Sequence, residues 1–150
     1  MTTLVGTQSN FDDAIYSLVE LEYDAIGAYE LALERLNTTE YKSKLSSFIQ
    51  DHKQHVNSLK GYYGNSSVSL PESADMVKGM MAKMKVLFGD FTGSDENILR
   101  AMLSNEQDTN TAYNRLVNHP AKPRELDPIL EKAFLDEQNH KIWLEQTIGN

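Results

Sequence analysis

The sequence predicts an all-α protein, an antiparallel four-helix bundle with a long crossover between its second and third helices. Three observations predict it. Four stretches carry apolar residues at steps of three and four, the spacing that places them on one helix face. The first two stretches and the last two repeat each other in register. The outer connections are short, whereas the middle one spans residues 64–93.

The first helix is expected from a cap at Asn10, with Asp12 and Asp13 facing the positive end of the dipole, to about Asn37. Its stripe is Ile15, Leu18, Glu22, Ile26, Tyr29, Leu33 and Leu36, so Glu22 lies among core positions. Glu20, Glu30 and Glu34 fall outside it and read as solvated. Thr39 is the expected cap of helix 2, whose stripe is Tyr41, Leu45, Phe48, His52, His55, Leu59 and Tyr62. Gly61 and Gly64 mark its end. In the crossover, Asn65–Ser67 and Pro71 read as loop. Ser73 then opens a short amphipathic helix with Met76, Met80, Met84, Val86 and Leu87, closed by Gly89. Those methionines read as packing against the bundle, or as a soft metal- or partner-binding face. Ser94 caps helix 3, whose stripe is Ile98/Leu99, Met102, Glu106, Thr109/Asn110, Tyr113 and Leu116. Asn118-His119-Pro120 stops it. Asp127 caps helix 4 with Pro128 at its first position, and Gly149 ends it after Thr147 or Ile148. The stripe there is Leu130, Phe134, Glu137, His140, Leu144 and Ile148.

At 150 residues the chain reads as one domain, 1–150, with residues 1–10 as a loose tail. Its 40% hydrophobic and 24% charged residues are those of an ordinary globular protein. The formal net charge of −8 argues against nucleic acid and suits cations. With no cysteine, disulfides, thiolate metal sites and thiol catalysis are excluded. No stretch is apolar enough to span a membrane and the N-terminus does not read as a signal peptide, so the expected location is cytoplasmic.

The polar intruders in the stripes carry the functional reading. Burying a lone carboxylate costs several kcal/mol or forces protonation. Glu137 and His140 form Glu-x-x-His on a core face, a known way to hold a metal inside a bundle. Helix 1 superposes on helix 3 at an offset of 84: Glu22 on Glu106, Asp24 on Asp108, Ala28 on Ala112, Tyr29 on Tyr113. Helix 2 superposes on helix 4 at an offset of 85: Leu45 on Leu130, Asp51 on Asp136, His52 on Glu137, His55 on His140, Leu59 on Leu144. At about 1.5 Å per residue, each hairpin carries its polar core residues at matching heights, roughly 14–24 Å from its turn. Six side chains then converge at mid-bundle: Glu22, His52, His55, Glu106, Glu137 and His140. A metal site is the reading such a cluster favours. The alternative is a buried salt-bridge cluster, which needs excellent geometry to break even.

Tyr29 and Tyr113 follow the helix-1 and helix-3 glutamates by seven residues. They read as outer hydrogen-bond partners or redox-active phenols beside the metal, or as core aromatics. Asp51 and Asp136 read as partners of a histidine ring or as surface carboxylates. Trp143 lies off the ligand face, at a helix seam or a subunit contact, and His119 carries no assigned role.

With Glu, a His-containing pair, Glu, then Glu-x-x-His in chain order, residues 11–148 resemble the ferritin-like superfamily, with bacterioferritins and rubrerythrins nearest by motif. The resemblance implies a di-iron or iron–manganese centre reacting with O2 or hydrogen peroxide, of ferroxidase or peroxidase type. It implies Glu22 and Glu106 as terminal ligands, Glu137 as a bridging carboxylate, and His55 and His140 as one nitrogen ligand per metal. The family pattern has a second bridging Glu where this chain has His52, and a neutral imidazole cannot bridge. Zinc or manganese at one subsite would also suit three carboxylates and three histidines. The chain lacks a rubredoxin-like cysteine segment and a helix after Ile148, so neither a complete rubrerythrin nor a storage cage is expected; a homodimer is. The alternative function is a non-catalytic stress or interaction protein whose metal is structural or lost.

Overall fold

The computed structural model describes residues 3–72 and 93–149. Among them are four long helices and no strand: α1 (Phe11–Arg35), α2 (Thr39–Tyr63), α3 (Asp95–Val117) and α4 (Asp127–Gly149), the last preceded by a 3-10 turn at Arg124–Leu126. The amphipathic crossover helix expected around Met76, Met80 and Met84 lies outside the described residues.

The helices form a bundle. α1 packs on α2 and α3, and α4 packs on α3 and α2, so the four apolar faces meet in one interior. That interior is built from the expected stripes, including Ile15, Leu18, Tyr29, Leu45, Leu59, Met102, Tyr113, Leu130 and Leu144. Several stripe positions differ, with Tyr41, Phe134 and Ile148 only half-buried. Tyr62 is exposed and its neighbour Tyr63 is buried instead, where its hydroxyl donates to Asp12 Oδ1 at 3.1 Å. In α1, Ala32 takes the buried place and Leu33 is half-buried, because α1 packs on two neighbours and needs a face wider than one narrow stripe. Trp143 lies at the seam of α2 and α4, edge-on to Tyr41 and Phe48.

The helix starts follow from side-chain oxygens meeting free amides. Asn10 accepts from Asp13 N at 3.0 Å, and Ser94 accepts from Asn97 N at 3.3 Å. The start of α2 is different: Thr38, not Thr39, is the cap residue, and its side chain does not bond its own helix. Asp95, at the start of α3, supplies the acceptor instead, taking Asn37 N at 2.9 Å and Thr38 N at 2.8 Å. Asp127, the expected cap of α4, is already helical and pairs with Lys122.

The expected loose tail is strapped down over residues 3–8. Arg115 of α3 donates to Thr3 O at 2.6 Å and Val5 O at 3.1 Å, and Thr3 N donates to Asp108. His119 accepts from Ala121 N on Nδ1, so its Nε2–H donates to Gln8 O at 2.7 Å. Gly6 has φ +92 and its position presses on Arg115, so an added Cβ would fall 2.6 Å from Arg115 Cβ. Among the described residues no helix is long and apolar enough to cross a membrane.

Candidate metal centre

All six expected side chains meet in the interior. Glu22, His52, Glu106 and Glu137 have no exposed surface, and His55 and His140 have almost none. α1 contributes Glu22, α2 contributes His52 and His55, α3 contributes Glu106, and α4 contributes Glu137 and His140. The i, i+3 spacing puts each α2 and α4 pair on one face, one turn apart.

They form two groups of four donors, Glu22–His52–His55–Glu137 and His52–Glu106–Glu137–His140, each with ligand atoms within 4.8 Å of one another. In the first, His52 Nδ1 is 3.1 Å from Glu22 Oε2 and 3.1 Å from Glu137 Oε1. His55 Nδ1 is 3.5 Å and 3.4 Å from the same two oxygens. In the second, Glu106 Oε1 is 3.3 Å from both His52 Nε2 and His140 Nδ1, and His140 Nδ1 is 3.7 Å from Glu137 Oε2. Both groups share His52 and Glu137, the two residues that the repeat places at equivalent positions.

The outer rings of the site are fixed from behind. His55 Nε2–H donates to Asp136 at 2.9 Å, and His140 Nε2–H donates to Asp51 at 2.8 Å. α2 thus backs the α4 histidine and α4 backs the α2 histidine. With the proton held at Nε2, each Nδ1 points its lone pair at carboxylate oxygens. Neither Nδ1 makes a hydrogen bond, and neither do Glu22 Oε1 and Glu137 Oε1, although all four atoms are buried. Lone pairs facing lone pairs in a dry interior need a cation between them, either protons on the rings or a metal ion. Glutamate oxygens and imidazole nitrogens suit zinc, iron and manganese, so the donor set fits a metal.

Without an ion, protons do this work. Burial alone would push the His55 ring down, but Glu137 and Glu22 raise it to about 10. Burial likewise opposes His140, which Glu106 and Glu137 lift to about 9. His52 also titrates well above its usual range, because the charges of Glu137 and Glu22 outweigh its burial. Burial pushes Glu22 up, yet the cationic His52 holds it at about 2. Glu137 moves the other way, to about 7, through burial and the charge of Glu106. Divergent carboxyl groups at one site are characteristic of functional clusters and of structural ion-pair networks alike.

Both tyrosines lie against the cluster. Tyr29 donates to Glu106 Oε1 across the bundle, from α1 to α3. Tyr113 is buried without a hydrogen-bond partner, and burial with the charges of Glu22 and Glu137 raises its phenol. The contacts of three residues were not read from the sequence. Thr109 donates its hydroxyl to Glu137 Oε2 at 2.8 Å, and Asn110 donates to the backbone oxygens of Glu106 at 2.8 Å and Glu137 at 3.0 Å. Phe48 stacks on the His140 ring, centroids 4.0 Å apart. The available signal was a break in the repeat, which sets Ala25 opposite Thr109 and Ala133 opposite Phe48.

A family model described as "Domain of unknown function (DUF2383)" matches residues 11–119. No curated protein and no solved structure matches the chain. The family match runs from α1 to just beyond α3 and takes in Glu22, His52, His55 and Glu106. With this share of its length matched, the chain belongs to the DUF2383 family.

Proposed function

We propose that this protein is an antiparallel, ferritin-like four-helix bundle holding a non-haem di-metal centre that reacts with O2 or peroxide. The observation that carries the reading is the pair of four-donor groups sharing Glu137 and His52, with buried inward-facing donor atoms that lack hydrogen bonds. Iron is the metal proposed, with manganese or zinc as alternatives at these nitrogen and oxygen donors. Two ferrous ions bound there would supply two electrons, enough with two protons to take hydrogen peroxide to two waters. The reaction class is iron oxidation or peroxide detoxification.

The chain's own groups have distinct parts. Glu22 and Glu106 hold the outer oxygen positions, one per donor group. Glu137 faces both groups with its two oxygens, and Thr109 fixes its Oε2 side. Asp136 and Asp51 hold the His55 and His140 rings with Nδ1 inward. Tyr29 holds Glu106 and keeps a phenolic proton at the edge of the site.

One observation favours a second reading: the six side chains already make charged contacts with one another without an ion. On that reading the cluster is structural and the protein is a non-catalytic stress or interaction module. Anaerobic loading with Fe(II), followed by air or peroxide, separates the two. The di-metal reading expects a coloured ferric product and consumption of the oxidant, with both reduced in Glu137→Ala. A colourless protein that consumes nothing supports the structural cluster.

A further inference from the structure

We propose that His52 bridges the two metal ions, binding one through Nδ1 and the other through Nε2. The inference rests on the di-metal reading and adds to it the identity of the second bridge.

His52 differs from the other two histidines in what its nitrogens face. His55 and His140 each give Nε2 to an aspartate and keep a single nitrogen for the interior. Both nitrogens of His52 face the interior carboxylates, Nδ1 toward Glu22 and Glu137 and Nε2 toward Glu106. The ring therefore stands between the two donor groups and offers one nitrogen to each. It is held there by neighbouring rings, Tyr29 at 5.4 Å, His55 at 5.7 Å and His140 at 5.2 Å between centroids.

The spacing of the donors, which without an ion is that of hydrogen bonds from His52 to Glu22 and Glu106, also suits coordination. A tetrahedral ion with bonds of 2.0–2.1 Å has ligand atoms about 3.3 Å apart. The separations about His52 Nδ1 and Nε2 are 3.1 Å to Glu22, 3.1 Å to Glu137 and 3.3 Å to Glu106. His140 to Glu106 adds 3.3 Å on the far side. Each ion would have two oxygens and two nitrogens to draw on, one donor from each side chain of its group.

Charge points the same way. A neutral ring carries one N–H and can bind one ion, so a bridging ring must give its remaining proton to solvent and bind as imidazolate. Two divalent ions bring four positive charges. Glu22, Glu106, Glu137 and the imidazolate bring four negative ones, and His55 and His140 bind neutral. The buried site then carries no net charge, the condition that low-dielectric surroundings favour. The equivalent position on α4 is Glu137, itself facing both groups, so a bridge on α2 completes the two-fold pattern of the repeat.

The bridge leaves a geometric signature. An imidazolate spaces its two ions by about 6 Å, given bonds of 2.0–2.1 Å on both sides of the ring. Compact two-metal sites hold their ions about 3.5–4 Å apart. The test is a zinc-edge anomalous crystal structure of the metal-free protein loaded with Zn(II) alone, beside His52→Glu and His52→Gln treated identically. The expected result is two zinc ions about 6 Å apart, each bonded to one His52 nitrogen. His52→Glu should draw them to about 3.5–4 Å, and His52→Gln should retain at most one. A wild-type pair 3.5–4 Å apart with His52 on one ion overturns the bridge and leaves the di-metal reading standing. One ion in the wild type and two in His52→Glu overturns it as well. No zinc in wild type or variants defeats the di-metal reading itself, and the bridge with it. Zinc counts by elemental analysis, with helicity by circular dichroism, carry the same test for a variant that does not crystallise.

Discussion

Asp51 and Asp136 each act on a histidine of the opposite helix. Asp136 is the less exposed of the two and also receives Lys132 at 2.9 Å, so its carboxylate is held from two sides. Removing such backing commonly weakens metal binding by about 10- to 100-fold. Asp136→Asn and Asp51→Asn are each expected to lose affinity in that range in a zinc competition titration, with α-helical content unchanged. Unchanged affinity would mean that the rings hold their inward orientation unaided. The histidines also set a pH dependence in the metal-free protein. His55 and His140 titrate at about 10 and about 9 when folded, against 6.5 unfolded. A raised histidine contributes fully below its unfolded value and loses that contribution as pH rises through the folded one. The thermal midpoint of metal-free protein is therefore expected to fall as pH rises from about 6.5 to about 10. Glu22 has the opposite sign, its stabilisation being present above 4.5 and lost as pH falls toward about 2. Glu137, raised to about 7, opposes folding as it ionises between 4.5 and 7. Metal loading should flatten the alkaline fall, because ions replace the protons on the rings. A midpoint independent of pH from about 6.5 to about 10 in the metal-free protein would contradict this electrostatic account.

At the scale of the element, local signals were legible and long-range ones were not. Asn10 and Ser94 cap their own helices, so their chemistry is visible in a few adjacent residues. The cap of α2 comes from Asp95, and nothing near Thr38 announces a partner 57 residues away. Asp127-Pro128 has the look of a cap followed by proline, but the preceding 3-10 turn draws Asp127 into the helix. The tail was read as loose because polar residues without periodicity show no partner, yet Arg115 reaches back to its carbonyl groups. Asp95→Ala should cost about 1 kcal/mol through the lost cap, a fall in thermal midpoint of about 2–4 °C. Gly6→Ala should destabilise by a comparable amount, since alanine disfavours φ +92 and meets Arg115. Differential scanning calorimetry of both variants checks these values, and an unchanged midpoint for Asp95→Ala would mean that water caps α2 equally well.

At the scale of the molecule, the six-residue cluster was legible because the chain repeats itself. One buried glutamate or histidine says little, but Glu22 with Glu106 and His55 with His140 at equivalent positions say that both halves of the repeat aim ionisable groups inward. What the repeat could not show is where it breaks. Thr109 faces Glu137, whereas its counterpart Ala25 offers no hydroxyl, so the two donor groups are not equal. Nor could spacing along a helix show that both His52 nitrogens would find carboxylates, because ring orientation is decided by packing across the bundle. A di-metal centre is what separates a reactive site from a structural network in this helical bundle, and that is the claim to test. Metal content per chain, measured by elemental analysis on protein purified without chelators and again after anaerobic Fe(II) loading, tests that claim most directly. The account predicts two ions per chain after loading, with at least one lost in Glu137→Ala. A folded protein that holds no metal under either condition would contradict it and leave the cluster a structural network of protons and carboxylates.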